Sequence, residues 1–504
     1  MSNNHNLEIV LIGHVQRFGI EELLRQFGAV FTPGDSSAES KEADRKTAEG
    51  KGLIIRASLP EAGEKYRIVS MLRDGVVSTS VSLVQDGQIP ATYPAGRHQE
   101  GLSPGREIKR QMWVCLSEIT GMRFPWGSLT GVNPTHIVRE IREAEADEDA
   151  ADTLQHVYGV SGDKAELAVR TAKAEAALLE RVASQELSIY LDIPFCPSRC
   201  TYCSFSLPEG CGTADRLEDD YIEAVLRELR KRAPELTDTE GRQRKVRTLY
   251  VGGGTPAALS APALERLLPA FLDAFAFTAD SELTFEAGRA DAIDREKLRI
   301  VKEAGFTKLC INPQSLHDET LKRVNRRHTT AELYEAYTAA REAGFKSINM
   351  DLIAGLPGED AGMFEESLNG LIDWGADAIT VHTLALKRSS RMHEQTRTGE
   401  AAQVRPALAK EDPAVEAMVR YANMKLPEAG FRPYYLYRQK LSRGGLENTG
   451  FAKLGHESLY NVAMMSDRRD IIAFGAGASS KRYEDGKCKR SFNKRGIRDY
   501  IRHY

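Results

Sequence analysis

Three cysteines fall within eight residues of one another, in the text Tyr190-Leu-Asp-Ile-Pro-Phe-Cys196-Pro-Ser-Arg-Cys200-Thr-Tyr-Cys203. The spacing is C-x3-C-x2-C, directly after a strand-like run, so three thiolates share one short loop. Such a loop can hold three irons of a 4Fe–4S cluster, which normally takes four cysteine ligands. No fourth cysteine follows at a ligand-like interval, which would leave one iron open to an amine and carboxylate chelate. Structural zinc is the competing reading. It calls for four protein ligands, and no histidine lies in the loop, although Cys211, eight residues on, is a possible fourth. Spacing and context favour the cluster. The remaining cysteines are scattered and the total of seven is odd, so a disulfide framework is not expected.

A loop of this kind needs a rigid frame. From residue 185 short apolar strands alternate with longer helical segments, as βα units do. The strands read as Leu187–Ile193, Val246–Val251, Glu282–Glu286, Lys308–Asn312, Ser347–Leu352 and Ala378–Leu384. Helices are expected between them at Asp219–Arg232, Ala261–Phe275, Arg295–Ala304, Thr330–Ala343 and Met363–Trp374. Six such units fit a parallel sheet, open or curled into a partial barrel. Side chains alternate along a strand, so Tyr190 and Asp192 share one face, as do Thr284 and Glu286, and Asn349 and Asp351. Buried carboxylates cost several kcal/mol unless paired. Polar residues at the carboxyl ends of parallel strands therefore read as a ligand site. Buried ion pairs are the alternative.

The chain has 504 residues, enough for two or three domains. Strand-like runs at Leu7–Ile12, Leu53–Arg56, Tyr66–Leu72 and Val76–Leu83, with a helix at Glu107–Thr120, suggest a separate N-terminal unit. Residues 34–51 are polar and read as a loop. The acidic stretch 140–152 reads as a solvated helix face or linker. Three domains are expected. Residues 1–183 form an N-terminal α+β domain plus helical linker, 184–394 the barrel, and 395–504 a mixed C-terminal segment covering the substrate side. With 68 Lys and Arg against 72 Asp and Glu, the net charge of −4 argues against a nucleic-acid binder. No run of 18 or more apolar residues predicts a membrane span. The opening text lacks the pattern of a secretory signal, so a cytoplasmic location is expected.

The cysteine motif resembles that of the radical S-adenosylmethionine enzymes. The wider text Ile189-Tyr-Leu-Asp-Ile-Pro-Phe-Cys196 is similar to the oxygen-independent coproporphyrinogen III oxidase branch. PWGSLTGVNPT (125–135) and YYLYRQK (434–440) resemble its longer, second-type members. The resemblance implies an α/β fold, a partial (β/α)6 TIM-like barrel with a small N-terminal α+β domain and a mixed C-terminal segment. It implies a 4Fe–4S cluster on Cys196, Cys200 and Cys203, with S-adenosylmethionine at the open iron. Gly253, Gly254 and Thr255, in Gly-Gly-Gly-Thr-Pro, match the loop that holds the methionine part. Glu286 matches an acidic cofactor contact, Gln314 and Asp351 ribose-side contacts, and Arg326 the carboxylate partner. Tyr190, Tyr202 and Ala385 fall where the family places further contacts. The implied chemistry is reductive cleavage of the cofactor to a 5′-deoxyadenosyl radical. That radical takes a hydrogen atom from a propionate β-carbon, and decarboxylation to a vinyl group follows. The implied partners are a porphyrinogen or haem and an electron donor such as flavodoxin or ferredoxin.

Two positions depart from the resembled oxidases. Phe205 stands where they carry an extra cysteine, as in the related haem-chaperone branch, and Asp192 stands where they carry histidine. An aspartate replaces a neutral imidazole as proton donor only if its pKa is strongly raised. Lys387, Arg388 and Arg391 are candidate propionate holders. His382 and His456 are candidate proton carriers, with hydrogen-bonded core histidines as the alternative. Tyr434, Tyr435 and Tyr437 are expected to help cover the pocket, or to form a plain aromatic core. The stretch Gly475-Ala-Gly477 reads as a close-packed turn beside the active site.

Overall fold

A computed structural model of the chain describes residues 6–13, 17–27, 29, 53–58, 64–85, 88–94, 98–130, 133–144, 149–204, 215–238, 240–387, 389–398, 412–439 and 442–504. The reading of 34–51 as a loop, and the positions Phe205, Cys211 and Arg388, lie outside these residues. Contacts within the chain define two compact units. One comprises Met1–Val169, Arg405–Pro413 and Arg438–Glu447; the other comprises Arg170–Val404, Ala414–Tyr437 and Asn448–Tyr504.

The first unit contains a five-stranded sheet in the order β2-β1-β3-β4-β5. Its strands are β1 (Leu7–Ile12), β2 (Leu53–Ala57), β3 (Lys65–Arg73), β4 (Val76–Gln85) and β5 (Gln88–Pro94), with α1 (Arg17–Gln26) after β1. Neither α1 nor β5 was expected from the sequence. Helix α2 (Pro104–Thr120) starts on a proline, whose missing N–H is no loss in a first turn, and stops at Gly121 in the left-handed conformation. Its buried stripe Ile108, Met112, Cys115 and Leu116 packs with Leu7, Ile9, Leu11 and Ile68 of the sheet. Deeper in this unit Lys164 donates to Glu447 at 2.7 Å, and the Trp126 indole donates to the same carboxylate at 2.8 Å. Burial works to raise the Glu447 pKa, yet the Lys164 ammonium holds it below the usual value.

The second unit carries an eleven-stranded sheet in the order β12-β13-β11-β10-β9-β8-β7-β6-β14-β15-β16, with β12 at Arg432–Arg438, β15 at Ser479–Glu484 and β16 at Lys487–Phe492. The central strands are β6 (Leu187–Ile193), β7 (Lys245–Gly253), β8 (Ala276–Gly288), β9 (Lys308–Gln314), β10 (Ser347–Ala354) and β11 (Ala378–Thr383). All six pair in parallel, in chain order. This is the expected partial-barrel α/β fold. The sheet extends past those six: β14 (Ile471–Phe474) pairs in parallel with β6, and β13 (Glu447–Ala452) pairs antiparallel with β11. The helices α3 (Ala261–Ala274), α4 (Arg295–Glu303), α5 (Thr330–Glu342) and α6 (Ala361–Asp373) each begin at a residue whose side chain accepts from a first-turn amide: Ser260, Asp294, Thr329 and Asp360. Apolar residues such as Leu187, Ile189 and Leu191 are fully buried, while Tyr190 and Asp192 on the opposite face are half-buried. Glu286, Asn349 and Asp351 are half-buried in the same way. Glu282, on the face of β8 that carries Glu286, receives the Ser458 hydroxyl, the Leu459 amide and Lys308.

Removing one member of a buried ion pair leaves a charge with no partner, which costs about 3–5 kcal/mol. E447A should therefore lower the unfolding free energy by about that amount in a denaturant titration. A loss below 1 kcal/mol would show that Lys164 finds solvent or another partner.

Candidate functional site

The cysteine loop leaves β6 and is stitched down at several points. The Gly254 amide donates to Ile193 O at 2.8 Å and the Thr255 amide to Phe195 O at 2.7 Å. The Asn325 side chain donates to Arg199 O at 2.7 Å, and the Thr201 amide to Val324 O at 3.2 Å. Arg199 reaches Ser389 O at 2.6 Å, and the Met392 amide reaches Thr201 O at 2.9 Å. The loop is thus held against the carboxyl ends of the parallel strands, where ligands bind in such sheets.

The glycine run is a steric requirement of this contact. A Cβ at Gly254 would stand 2.5 Å from Phe195 O and 3.2 Å from Cys196 Sγ. At Gly253, whose φ is +117°, it would stand 2.8 Å from an Asp192 carboxylate oxygen. At Gly252 it would meet Tyr250 and Glu286 at 2.8 and 2.9 Å. The Thr255 hydroxyl and Cys196 Sγ are 3.1 Å apart.

A cavity of about 320 Å³, within the range of small-molecule sites, opens above this loop. Cys196, Cys200, Tyr202, Cys203, Gly253, Gly254, Thr255, Glu286, Gln314, Arg326 and Asp351 all line it. Of the residues expected at the site, Tyr190 and Ala385 do not. Tyr190 instead stacks on Tyr460 at 5.8 Å and Tyr250 at 6.2 Å, with its hydroxyl donating to Asp192 at 3.4 Å. The candidate propionate holder Lys387 is exposed, and neither it nor Arg391 lines the cavity. His456 stays outside it, 3.9 Å from Asp377. Tyr435 lines it, while Tyr437 supports it from behind. Gly475 is tightly packed as expected, since a Cβ there would lie 2.5 Å from Asp192 O.

The walls differ in charge. On one side Glu286 accepts from Asn312 at 2.9 Å and from the Tyr250 hydroxyl at 3.3 Å. Burial, then the nearby Asp351 carboxylate, pushes its pKa up to about 7. Asp351 lies 3.5 Å from His382 Nε2, and the Tyr437 hydroxyl is 3.3 Å from the other ring nitrogen. Burial works against a charged His382, but the Asp351 carboxylate more than offsets it and raises its pKa. Asp192, behind this wall, is also pushed up to about 7, chiefly by burial. On the other side the buried guanidinium of Arg326 donates to Asn312 O and, at 3.2 Å, to Tyr202, and approaches Cys200 Sγ at 3.9 Å. Gln314 ends β9 with φ +72°, a strained value for a residue with a Cβ. Tyr250, Asn312, Arg289 and Asn461 also line the cavity, and sequence reading missed them. Parity could have found Tyr250, which pairs with Tyr190 in register; Asn312 lies within β9, Asn461 on the helix Leu459–Ser466 and Arg289 on the turn after β8.

Residues 190–371 match the radical SAM superfamily. The chain is 33% identical over 428 residues to the oxygen-independent coproporphyrinogen-III oxidase-like protein HemZ of Bacillus subtilis, covering 81% of this chain and 83% of that one. The chain belongs to the radical SAM superfamily. Within it, the chain falls in the coproporphyrinogen-III-oxidase-like branch. The heme chaperones HemW of Bacillus subtilis and Escherichia coli are 30% and 28% identical, over 58% and 62% of this chain and 70% and 75% of theirs. The solved structure of coproporphyrinogen III oxidase HemN from Escherichia coli shares the fold at a TM-score of 0.50 and 24% identity, covering 66% of this chain and 71% of that one.

The residues present fit the cofactors that radical SAM membership implies. Three thiols line one cavity wall, and the glycine cradle admits nothing larger than hydrogen. Asn312 Oδ1, Gln314 Oε1 and Arg326 Nε are buried at the cavity with no protein partner, leaving an acceptor pair and a donor for a polar ligand. No three His, Cys, Asp or Glu side chains among the described residues gather around a single-ion position. Cys196, Cys200 and Cys203 would hold a 4Fe–4S cluster, and with S-adenosylmethionine it would supply a carbon-centred radical for hydrogen abstraction.

G254A should lose most of its iron after anaerobic reconstitution while keeping its circular-dichroism spectrum, because the new methyl displaces the loop at Phe195. Full iron loading would show that the loop yields. Glu286 makes a separate prediction. Its carboxyl keeps its proton to about pH 7 when folded and ionises near 4.5 when unfolded, so the folded state holds more protons between those values. Stability should therefore fall as pH rises from about 4.5 through 7. E286Q removes this slope, gaining on the order of 3 kcal/mol relative to wild type between pH 4.5 and 8. Parallel pH–stability curves for the two proteins would refute the assignment.

Proposed function

We propose that the chain catalyses the oxygen-independent oxidative decarboxylation of coproporphyrinogen III to protoporphyrinogen IX, with S-adenosylmethionine as radical source. The observation carrying this reading is the length of the similarity to HemZ, an oxidase-like protein: it spans four-fifths of both chains and so extends well outside the barrel. In this reaction a substrate propionate loses one hydrogen atom from its β-carbon. It then loses one electron to an acceptor, and carbon dioxide, leaving a vinyl group. Cys196, Cys200 and Cys203 hold the cluster. Gly253, Gly254, Thr255, Glu286, Gln314, Arg326 and Asp351 hold the cofactor, and Tyr202 closes its side of the cavity. Asp192 supports the reading at the point where the sequence departs from the resembled oxidases. Burial keeps its carboxyl protonated to about pH 7, so it retains a proton near neutrality, as an imidazole does. Reductant would come from a one-electron donor protein such as flavodoxin or ferredoxin.

A second reading, haem capture and delivery, is favoured by the relatives named heme chaperones and by Phe205 in place of the extra cysteine. One experiment separates the two. Reconstituted, reduced protein is incubated anaerobically with S-adenosylmethionine and coproporphyrinogen III. The oxidase reading expects vinyl products, with methionine and 5′-deoxyadenosine formed alongside. Cofactor cleavage without porphyrinogen turnover would end it, and stoichiometric haem binding by the same preparation would then favour delivery.

A further inference from the structure

We infer that Arg289, fixed by Asp291, sets the reduction potential of the group bound at Cys200, by holding positive charge against the cysteine sulfur. The inference rests on the reading of Cys196, Cys200 and Cys203 as cluster ligands. Arg289 is 2% exposed and sits on the turn after β8. Its Nε and Nη2 both donate to Asp291, each at 2.8 Å, in a two-pronged contact. Its Nη1 faces the opposite way. It donates to Ser198 O inside the cysteine loop at 3.0 Å and approaches Cys200 Sγ at 3.7 Å.

The geometry gives the pair a direction. Asp291 neutralises the back of the guanidinium, and the uncompensated edge points at the sulfur. Burial alone would raise the Asp291 pKa, but His328 and Arg289 hold it well below the usual carboxylate range, so it stays ionised. His328 lies 3.8 Å from the same carboxylate. Arg326 approaches Cys200 Sγ at 3.9 Å, but its buried Nε has no protein partner. Arg289 is committed to protein groups along its whole edge: Nε and Nη2 to Asp291, and Nη1 to Ser198 O and Cys200 Sγ.

Reduction adds one electron and no proton to a centre ligated by this sulfur. The added negative charge is stabilised by nearby positive charge and by hydrogen bonds to the ligand sulfurs, which are principal determinants of cluster potential. In a buried site such an interaction is little screened. A purely structural role, in which Arg289 only ties Ser198 in place, would change loop stability and leave the potential alone.

The test is an EPR-monitored potentiometric titration of anaerobically reconstituted protein, with dithionite as electron source. Iron and sulfide content is measured first; a wild-type protein that assembles no cluster refutes the cluster reading itself. With the cluster present, R289Q should lower the potential by at least a tenfold change in the reduction equilibrium, about 59 mV for a one-electron couple. D291N should shift it the opposite way, because it removes the compensating anion and leaves the guanidinium. A wild-type potential in R289Q overturns the inference, as does a D291N shift in the same direction as R289Q. Should R289Q fail to retain its iron, D291N decides alone: a raised potential supports the inference, and an unchanged or lowered one overturns it.

Discussion

The close approach of the cysteine loop to the end of the second barrel strand constrains everything else at the site. Two amides, of Gly254 and Thr255, donate to carbonyls on either side of Pro194. A Cβ at Gly254 would collide with the loop at Phe195, one at Gly253 with the end of β6, and one at Gly252 with Tyr250 and Glu286, so none of the three admits a side chain. The loop therefore has one place to lie, and its thiols face the cavity. The parallel pairing of β6 and β7 makes this possible, because it brings Asp192 and Ile193 level with Gly252 and Gly253. The loop's far side depends on different elements, through Asn325, Arg289 and Met392, so most of the barrel contributes to fixing three sulfurs.

The cavity separates charge. The Glu286 carboxyl, its pKa raised by burial, and the Asp351 carboxyl, with a histidine held between Asp351 and Tyr437, occupy the wall built by the middle strands. Guanidinium groups occupy the wall against Cys200. A zwitterionic ligand entering this space meets cationic donors near the sulfurs and acceptors farther along the sheet. The tyrosine stack of residues 190, 250 and 460 closes the space behind the acids and keeps water from Asp192 and Glu286, and that exclusion raises both pKa values.

Much of this was legible in the sequence. The cysteine spacing, the six strands and the alternation that puts Glu286 and Asp351 on one face all emerged from local pattern, because a strand's period is two and a loop's reach is short. Four of the barrel helices start within two residues of their expected positions, since N-capping is a local interaction. Other features were not legible. Strand β14 joins beside β6 from nearly three hundred residues away, and nothing in Ile471–Phe474 distinguishes a parallel neighbour from any short apolar run. Tyr190 shares a strand face with Asp192, yet it turns into an aromatic stack because Tyr460 arrives from a distant helix.

The residue types at the cysteine loop, the glycine run and the strand ends were thus determined by sequence alone, because each follows from chemistry acting over a few residues. Tertiary structure decided which of these groups meet and with what charge. Arg289 is an ordinary arginine in sequence and a buried cation 3.7 Å from the Cys200 sulfur in the fold. Asp192 is an ordinary carboxylate in sequence and a group that keeps its proton to about pH 7 in the fold, because burial and then the nearby Glu286 outweigh the hydrogen bond from Tyr190. Desolvation and long-range apposition are properties of packing, and no window of sequence contains them.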